Sequence, residues 1–423
     1  MSPVRPPVQV VGRRLDADHY RLRDLLTRIA QPHEWVEAGS PEAEALLDRL
    51  GLDGAALPLL IEQDGTVHAA VTIESLIAAW RHDDVPKRTT YDFVIIGGGP
   101  AGLAAAVYAA SDGLSTIVLE REVPGGQASH TSMIENFFGF PDGIGGAELA
   151  RMAGRQAEKF GAEVMVMRGA LGSRLNDPRE PVDILVDGEI EIKASAVLAA
   201  TGMDWRRLDL PGIDDLIGRG VYYGAGRSEA IQCGGEQVTV VGAGNSAGQA
   251  VLNLAGAAAR VTMLVRGDSL GKSMSAYLVQ RIEQHPLIDV QLQTQLTAVH
   301  ADGDRLVAVS FADDAGRAEK RDATALFLCI GGRPHTDWCQ RELVVIDDAG
   351  YIKTGSDLIA NGRRPEIWPL DRDPLPLETS RPGLFAAGDV RHGSTKRVAA
   401  AVGEGSMAAS LAFRRLTELG VYT

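Results

Sequence analysis

The chain has 423 residues, 45% of them hydrophobic, and carries 56 acidic against 42 basic side chains for a net charge of −14. That length accommodates roughly three domains of ordinary size, and the acidic balance, without any dense Lys/Arg block, argues against a nucleic-acid partner. Three cysteines (Cys233, Cys329, Cys339) are too few for a disulfide framework, and the opening MSPVRPPVQVVGRRLD lacks the apolar run of a secretory signal, so the cytoplasm is expected.

Residues 1–85 form a first block. Periodicity predicts a strand from Val8 (VQVVG), a helix over Ala17–Ile29, a strand over His33–Glu37 and a helix over Pro41–Leu50. A strand after Leu57-Pro58, a turn at Asp64-Gly65, another strand and a helix ending near Trp80 complete it. The polar stretch RHDDVPKRTT then reads as a linker. From Tyr91 strands and helices alternate, the signature of parallel α/β sheets. The stretch from Gly355 to Arg381, rich in Pro, Asp and Arg without periodicity, predicts an extended surface loop.

The uncharged run Phe93–Ala110 has nearly the length of a membrane span and even the spacing Gly98-x-x-x-Gly102. Three successive glycines and Pro100 inside it fit a strand, a turn and a helix instead, so no membrane partner is expected. The strand YDFVII enters Gly97-Gly98-Gly99-Pro100-Ala101-Gly102, a small-residue helix follows, and the next strand, TIVLE, ends on Glu120. In such a unit the first glycine makes the tight turn, the middle one admits a pyrophosphate, and the last lets helix and strand pack closely. The helix N-terminus offers free N–H groups to phosphates, and Glu120 is placed to accept hydrogen bonds from ribose hydroxyls.

From Tyr91 onward the chain resembles low-molecular-weight thioredoxin reductases, over about 330 residues. The resemblance rests on Gly125-Gly126-Gln127, Ile134-Glu135-Asn136, Ala200-Thr201-Gly202, Ile330-Gly331-Gly332-Arg333-Pro334 and Phe385-Ala386-Ala387-Gly388-Asp389-Val390. It implies FAD as cofactor, with Gly126, Gln127 and Asn136 along the flavin and Asp389 on the ribityl chain. A helix from Lys396 through Arg397 and Val398 to Gly405 would aim its N-terminus at the flavin, favouring the anionic reduced form.

A second unit, Gly242-Ala243-Gly244-Asn245-Ser246-Ala247, follows the strand VTVVG and precedes the strand RVTMLV. Arg266 stands where an acid would select NADH, and a guanidinium suits a 2′-phosphate. The family's arginine run is incomplete: Gly267 replaces the second Arg, Lys272 stands in for the third, and Asp268 opposes an anion. NADPH is therefore expected, with NADH the alternative and another electron donor a third.

The family's Cys-x-x-Cys is missing. The matching stretch reads Tyr222-Tyr223-Gly224-Ala225-Gly226-Arg227, with Gly224 and Arg227 in the two cysteine positions. Disulfide exchange needs an attacking and a resolving thiolate, so the family's reaction does not carry over. The two glycines would leave space over the flavin, and Arg227 would hold an anionic acceptor or make a surface ion pair. Cys233 is read as structural, Cys329 as core, and His130 and His392 fall near the expected flavin environment. No metal-binding spacing occurs among the nine histidines.

The first block resembles a glutaredoxin-like (thioredoxin-fold) domain by element order, yet it contains no cysteine. A docking or dimer-shaping module is expected there. Altogether the resemblance implies an α/β protein of the pyridine nucleotide-disulfide oxidoreductase type with two Rossmann-type domains. The FAD domain falls in two halves, 91–210 and 323–423, around a NAD(P)H domain at 211–322, preceded by the thioredoxin-like block at 1–85. The expected function is hydride transfer from NADPH to FAD and on to a small-molecule or protein acceptor that is not a disulfide: a quinone, an organic electrophile, ferredoxin or oxygen. A disulfide reductase using Cys233 or a partner's thiols, and a redox-sensing or scaffolding flavoprotein, are the alternatives. A homodimer is expected.

Overall fold

The computed structural model describes residues 6–80, 85–174, 177, 179–187, 189–224, 232–339 and 343–422. The first block holds β1 (Val8–Gly12), α1 (Ala17–Arg28), β2 (His33–Glu37), α2 (Pro41–Leu50), β3 (Leu59–Ile61), β4 (Val67–His68) and α3 (Ile73–Ala79), in the expected order. Its sheet runs β2-β1-β3-β4, with β1 and β2 parallel and the remaining pairs antiparallel. Each helix starts on a polar cap (Asp16, Ser40, Thr72) whose side chain accepts backbone N–H bonds that the first turn cannot satisfy internally. The Leu57–Pro58 peptide is cis. The core formed by Val8, Leu22, Leu26, Leu60 and Leu76 also takes in Val123 from the following domain.

The second sheet is ordered β7-β6-β5-β10-β9-β8, from β5 (Thr90–Ile96), β6 (Thr116–Leu119), β7 (Glu163–Met165), β8 (Ala170–Arg174), β9 (Val182–Val186) and β10 (Ile190–Ala199). β21 (Leu384–Ala386) returns to it from the far end of the chain and pairs parallel with β10. Helices α4 (Pro100–Ser111) and α5 (Gly146–Lys159) connect its first strands. α8 (Val398–Glu418) crosses α4 so closely that a Cβ on Gly405 would stand 2.0 Å from the Ala101 carbonyl oxygen. The expected helix from Lys396 thus begins two residues later and is far longer.

The third sheet is parallel, ordered β12-β19-β13-β14-β15, from β12 (Val221–Tyr223), β13 (Gln237–Val241), β14 (Arg260–Val265), β15 (Ile288–Leu292) and β19 (Ala325–Leu328). It carries α6 (Asn245–Ala255) and α7 (Ala276–Glu283), and an antiparallel sheet of β16 (Thr294–Asp302), β17 (Arg305–Asp313) and β18 (Ala318–Asp322) precedes β19. Because β19 sits inside the nucleotide sheet, the expected boundary at 323 falls too early. The chain leaves and returns through an antiparallel ribbon, β11 (Met203–Trp205) with β20 (Gly332–Pro334).

The stretch 355–381 is an exposed loop over most of 356–373, as its composition suggested, but its end is not. Leu375, Leu377, Glu378, Thr379, Ser380 and Arg381 are buried. Glu378, fully buried, accepts from Arg372 at 2.7 Å and from the Leu375 and Gly383 N–H groups. Charged residues there serve each other, which is why composition misled. Among the described residues no helix is long and apolar enough to cross a membrane, and no cluster of potential ligands could hold a metal ion.

Candidate functional site

A cavity of about 1340 Å³ opens where the second and third sheets meet α1. At the end of β5, Gly97 turns with φ +104°, and a Cβ there would lie 2.3 Å from the Ala200 carbonyl oxygen. A Cβ on Gly102 would lie 1.9 Å from the Gly97 carbonyl oxygen, so strand and helix approach only because both are glycine. Gly99 caps α4 with open space beside it, Pro100 takes the first helical position, and Ala101 follows. Gly97, Gly99, Pro100 and Ala101 all line the cavity.

Glu120, immediately after β6, is buried; its carboxylate accepts from the Gly98 N–H at 2.7 Å and the Glu122 N–H at 2.8 Å. Burial pushes this carboxyl up, against the pull of those two bonds. Gly126 and Gln127 lie on a short helical turn over Gly126–His130, and Gln127 Nε2 donates to the Met203 carbonyl at 2.7 Å. Asn136, Ala200, Thr201 and Gly202 complete that wall. Thr201 Oγ1 donates to the His335 carbonyl at 2.6 Å. Asp204 is held well below the usual carboxylate range, first by His335 Nδ1 at 2.8 Å and then by its bond from Arg121.

From the C-terminal segment, Gly388, Asp389, Lys396, Arg397 and Val398 face the same space. Lys396 Nζ donates to the Asp389 carbonyl at 2.6 Å. Among the described residues no donor bonds the Asp389 carboxylate, and burial pushes its carboxyl up. Those features fit FAD: a side-chain-free cradle for a pyrophosphate at Gly97–Gly102, a buried acid at 120, and at 389 an acceptor placed for a hydroxyl.

On the opposite side, Gly242 turns with φ +148°, and a Cβ there would meet the Cys329 carbonyl oxygen at 2.3 Å. Gly244 caps α6 with open space, Asn245 and Ser246 line the cavity, and Ala247 is buried behind them. Asn245 Oδ1 accepts from the Ser275 N–H at 2.7 Å. Arg266 is exposed just past β14, while Lys272 is engaged by Asp268 at 2.7 Å.

Two expectations change. Gly224 is buried and does not line the cavity: a Cβ on it would stand 3.3 Å from the Trp205 ring, which borders the space expected to be open beside it. His392 also stays outside, bonded to Asp347 at 2.6 Å, whereas His130 does line the cavity, 3.5 Å from Asp24 and edge-on to Trp205. Arg227 lies outside the described residues. All three cysteines are buried, none lines the cavity, and burial pushes the Cys329 thiol up to about 12. Sequence reasoning missed the wall that α1 supplies through Tyr20, Arg21 and Arg28, and no local pattern announced it.

The fold and this double nucleotide site define a two-dinucleotide oxidoreductase, and the comparisons agree. The pattern of the pyridine nucleotide-disulphide oxidoreductase family matches residues 91–405, and the chain belongs to that family. It is 33% identical over 335 residues to the thioredoxin reductase of Bacillus subtilis, covering 78% of this chain and 96% of that one. It is 30% identical over 347 residues to a component of the alkyl hydroperoxide reductase of Pseudomonas putida, covering 81% of this chain but only 62% of that protein's length. The thioredoxin reductase of T. acidophilum superposes with a TM-score of 0.68 at 26% identity, over 79% of this chain and all of its own. That of Lactococcus lactis, in its FR conformation, does so with 0.68 at 28% identity, over 78% and 99%. The protein is thus an FAD-dependent oxidoreductase of a family that uses FAD and NADPH.

Proposed function

We propose that this enzyme takes a hydride from NADPH onto FAD and passes the two electrons to an acceptor that is not a disulfide, such as a quinone or another small electrophile. One observation carries the reading: at position 224 the backbone has φ +79°, and a Cβ there would press on the Trp205 ring at 3.3 Å. No cysteine lines the cavity, and Cys233 is 3% exposed in the core of the third sheet's domain.

FAD supplies the two-electron carrier; the chain's residues bind and orient. Gly97–Gly102 and the N-terminus of α4 hold the pyrophosphate, Glu120 the adenosine ribose, and Asp389 the ribityl hydroxyls. Gln127 and Asn136 lie along the flavin, and the α8 N-terminus beside Lys396 and Arg397 favours negative charge there. Gly242–Ala247 take the NADPH pyrophosphate, and Arg266 takes the 2′-phosphate.

Anaerobic titration with dithionite tests the reading. Uptake of about two electrons per protomer, bleaching the flavin from the first addition, is expected for a flavin acting alone. A lag before bleaching, or uptake near four electrons, would falsify it by revealing a second thiol-based carrier.

A further inference from the structure

The thiol-free first domain is seated on both nucleotide domains at once. Toward the FAD side, Arg28 meets Glu122 at 2.7 Å and Ser129 Oγ at 3.2 Å, and Asp24 lies 3.5 Å from His130. Val123 is buried in the first domain's own core. Toward the NAD(P)H side, Arg14 donates to the Gln232 carbonyl at 2.5 Å and to Glu236 at 2.8 Å. Tyr20 and Tyr222 pack with ring centroids 5.0 Å apart, and Gly218 touches α1 so closely that a Cβ would lie 3.0 Å from Ala17 Cα. Ionic contacts therefore occur on both sides of α1 and its N-terminal loop, with an apolar contact on the FAD side and an aromatic one on the NAD(P)H side.

We propose that residues 6–80 act as an internal brace, fixing the NAD(P)H domain in the orientation in which both nucleotide sites open into one cavity. The inference rests on NADPH being the flavin's reductant. Asn245 and Ser246 at the start of α6 share the cavity with Asp389 and Lys396. In this arrangement the two nucleotide sites already face one space. On the proposed reading no dithiol has to travel away from the flavin, so a freely turning NAD(P)H domain would bring no gain. The brace contains no cysteine, so it works by position and not by carrying electrons.

Arg14→Glu in the full-length, FAD-loaded protein breaks the NAD(P)H-side ion pair, and Tyr20→Ala removes the aromatic contact. Each is expected to speed hydrogen–deuterium exchange over residues 216–223 and in α1 about tenfold, and to slow flavin reduction at saturating NADPH. Arg14→Glu combined with Glu236→Arg restores both. Unchanged exchange in both single variants overturns the brace. Faster exchange with an unchanged reduction rate overturns its service to hydride transfer. If NADPH fails to reduce the wild-type flavin, the functional reading falls, while the exchange experiment still decides whether the domain braces.

Discussion

Arg266 leaves the end of β14 exposed, and among the described residues no carboxylate pairs with it. Asp268, which the sequence set against a bound phosphate, has its charge answered by Lys272; that contact holds the Asp268 carboxyl below its usual range. With Lys272 paired to Asp268, the proposed 2′-phosphate site rests chiefly on the Arg266 guanidinium. A charged hydrogen bond of ~1.5–3 kcal/mol corresponds to roughly ten- to a hundred-fold discrimination. Arg266→Ala is expected to lower the NADPH-to-NADH ratio of kcat/KM by that factor, and an unchanged ratio removes Arg266 from the 2′-phosphate site. Asp204 gives a pH signature. Its carboxyl is held low by His335 and Arg121, so its stabilising effect is complete above the unfolded carboxylate value of about 4 and fades as pH falls through the folded one. Asp204→Asn should lower Tm at pH 7, and the gap to wild type should narrow below pH ~4. A gap independent of pH would assign the loss to shape and not to charge.

At the scale of elements, the glycine-rich strand–turn–helix units were readable because each glycine answers a steric demand. The α4–α8 crossing follows the same logic: Gly405 faces the Ala101 backbone, which cannot swing aside as a flexible side chain can. Gly405→Ala should therefore cost about 1–3 kcal/mol or more and shed FAD on heating, read as a lower Tm and a lower flavin-to-protein ratio. A variant as stable and as yellow as wild type would show that α8 slides freely. Other elements escaped the sequence. Composition made the end of 355–381 look as solvated as its start, because it does not show that Glu378 is paired with Arg372 in the interior. Trp205 over Gly224 and Tyr20 against Tyr222 join segments far apart in sequence, and no periodicity encodes such contacts.

Across the whole molecule, the two nucleotide units and their order along the chain were legible, since motif and spacing are local properties. How the first domain sits on the other two was not, because it depends on surfaces meeting after each domain has folded. The scattered burial of the cysteines leads to a molecule-wide expectation. With Cys233, Cys329 and Cys339 all buried and outside the cavity, replacing the three by alanine should leave electron uptake per flavin unchanged. Loss of half the uptake would place a thiol in the circuit.

The turn at Gly224 bears on engineering. Deleting two sulfurs from a chain can be undone by two codon changes, so their absence alone would be a shallow difference from the thioredoxin reductases. Here the backbone also lies in left-handed space, with an indole against it. A returning cysteine at that place would arrive strained and crowded. On the proposed reading, installing a dithiol here would take changes to the turn and to its indole neighbour as well as the cysteines themselves.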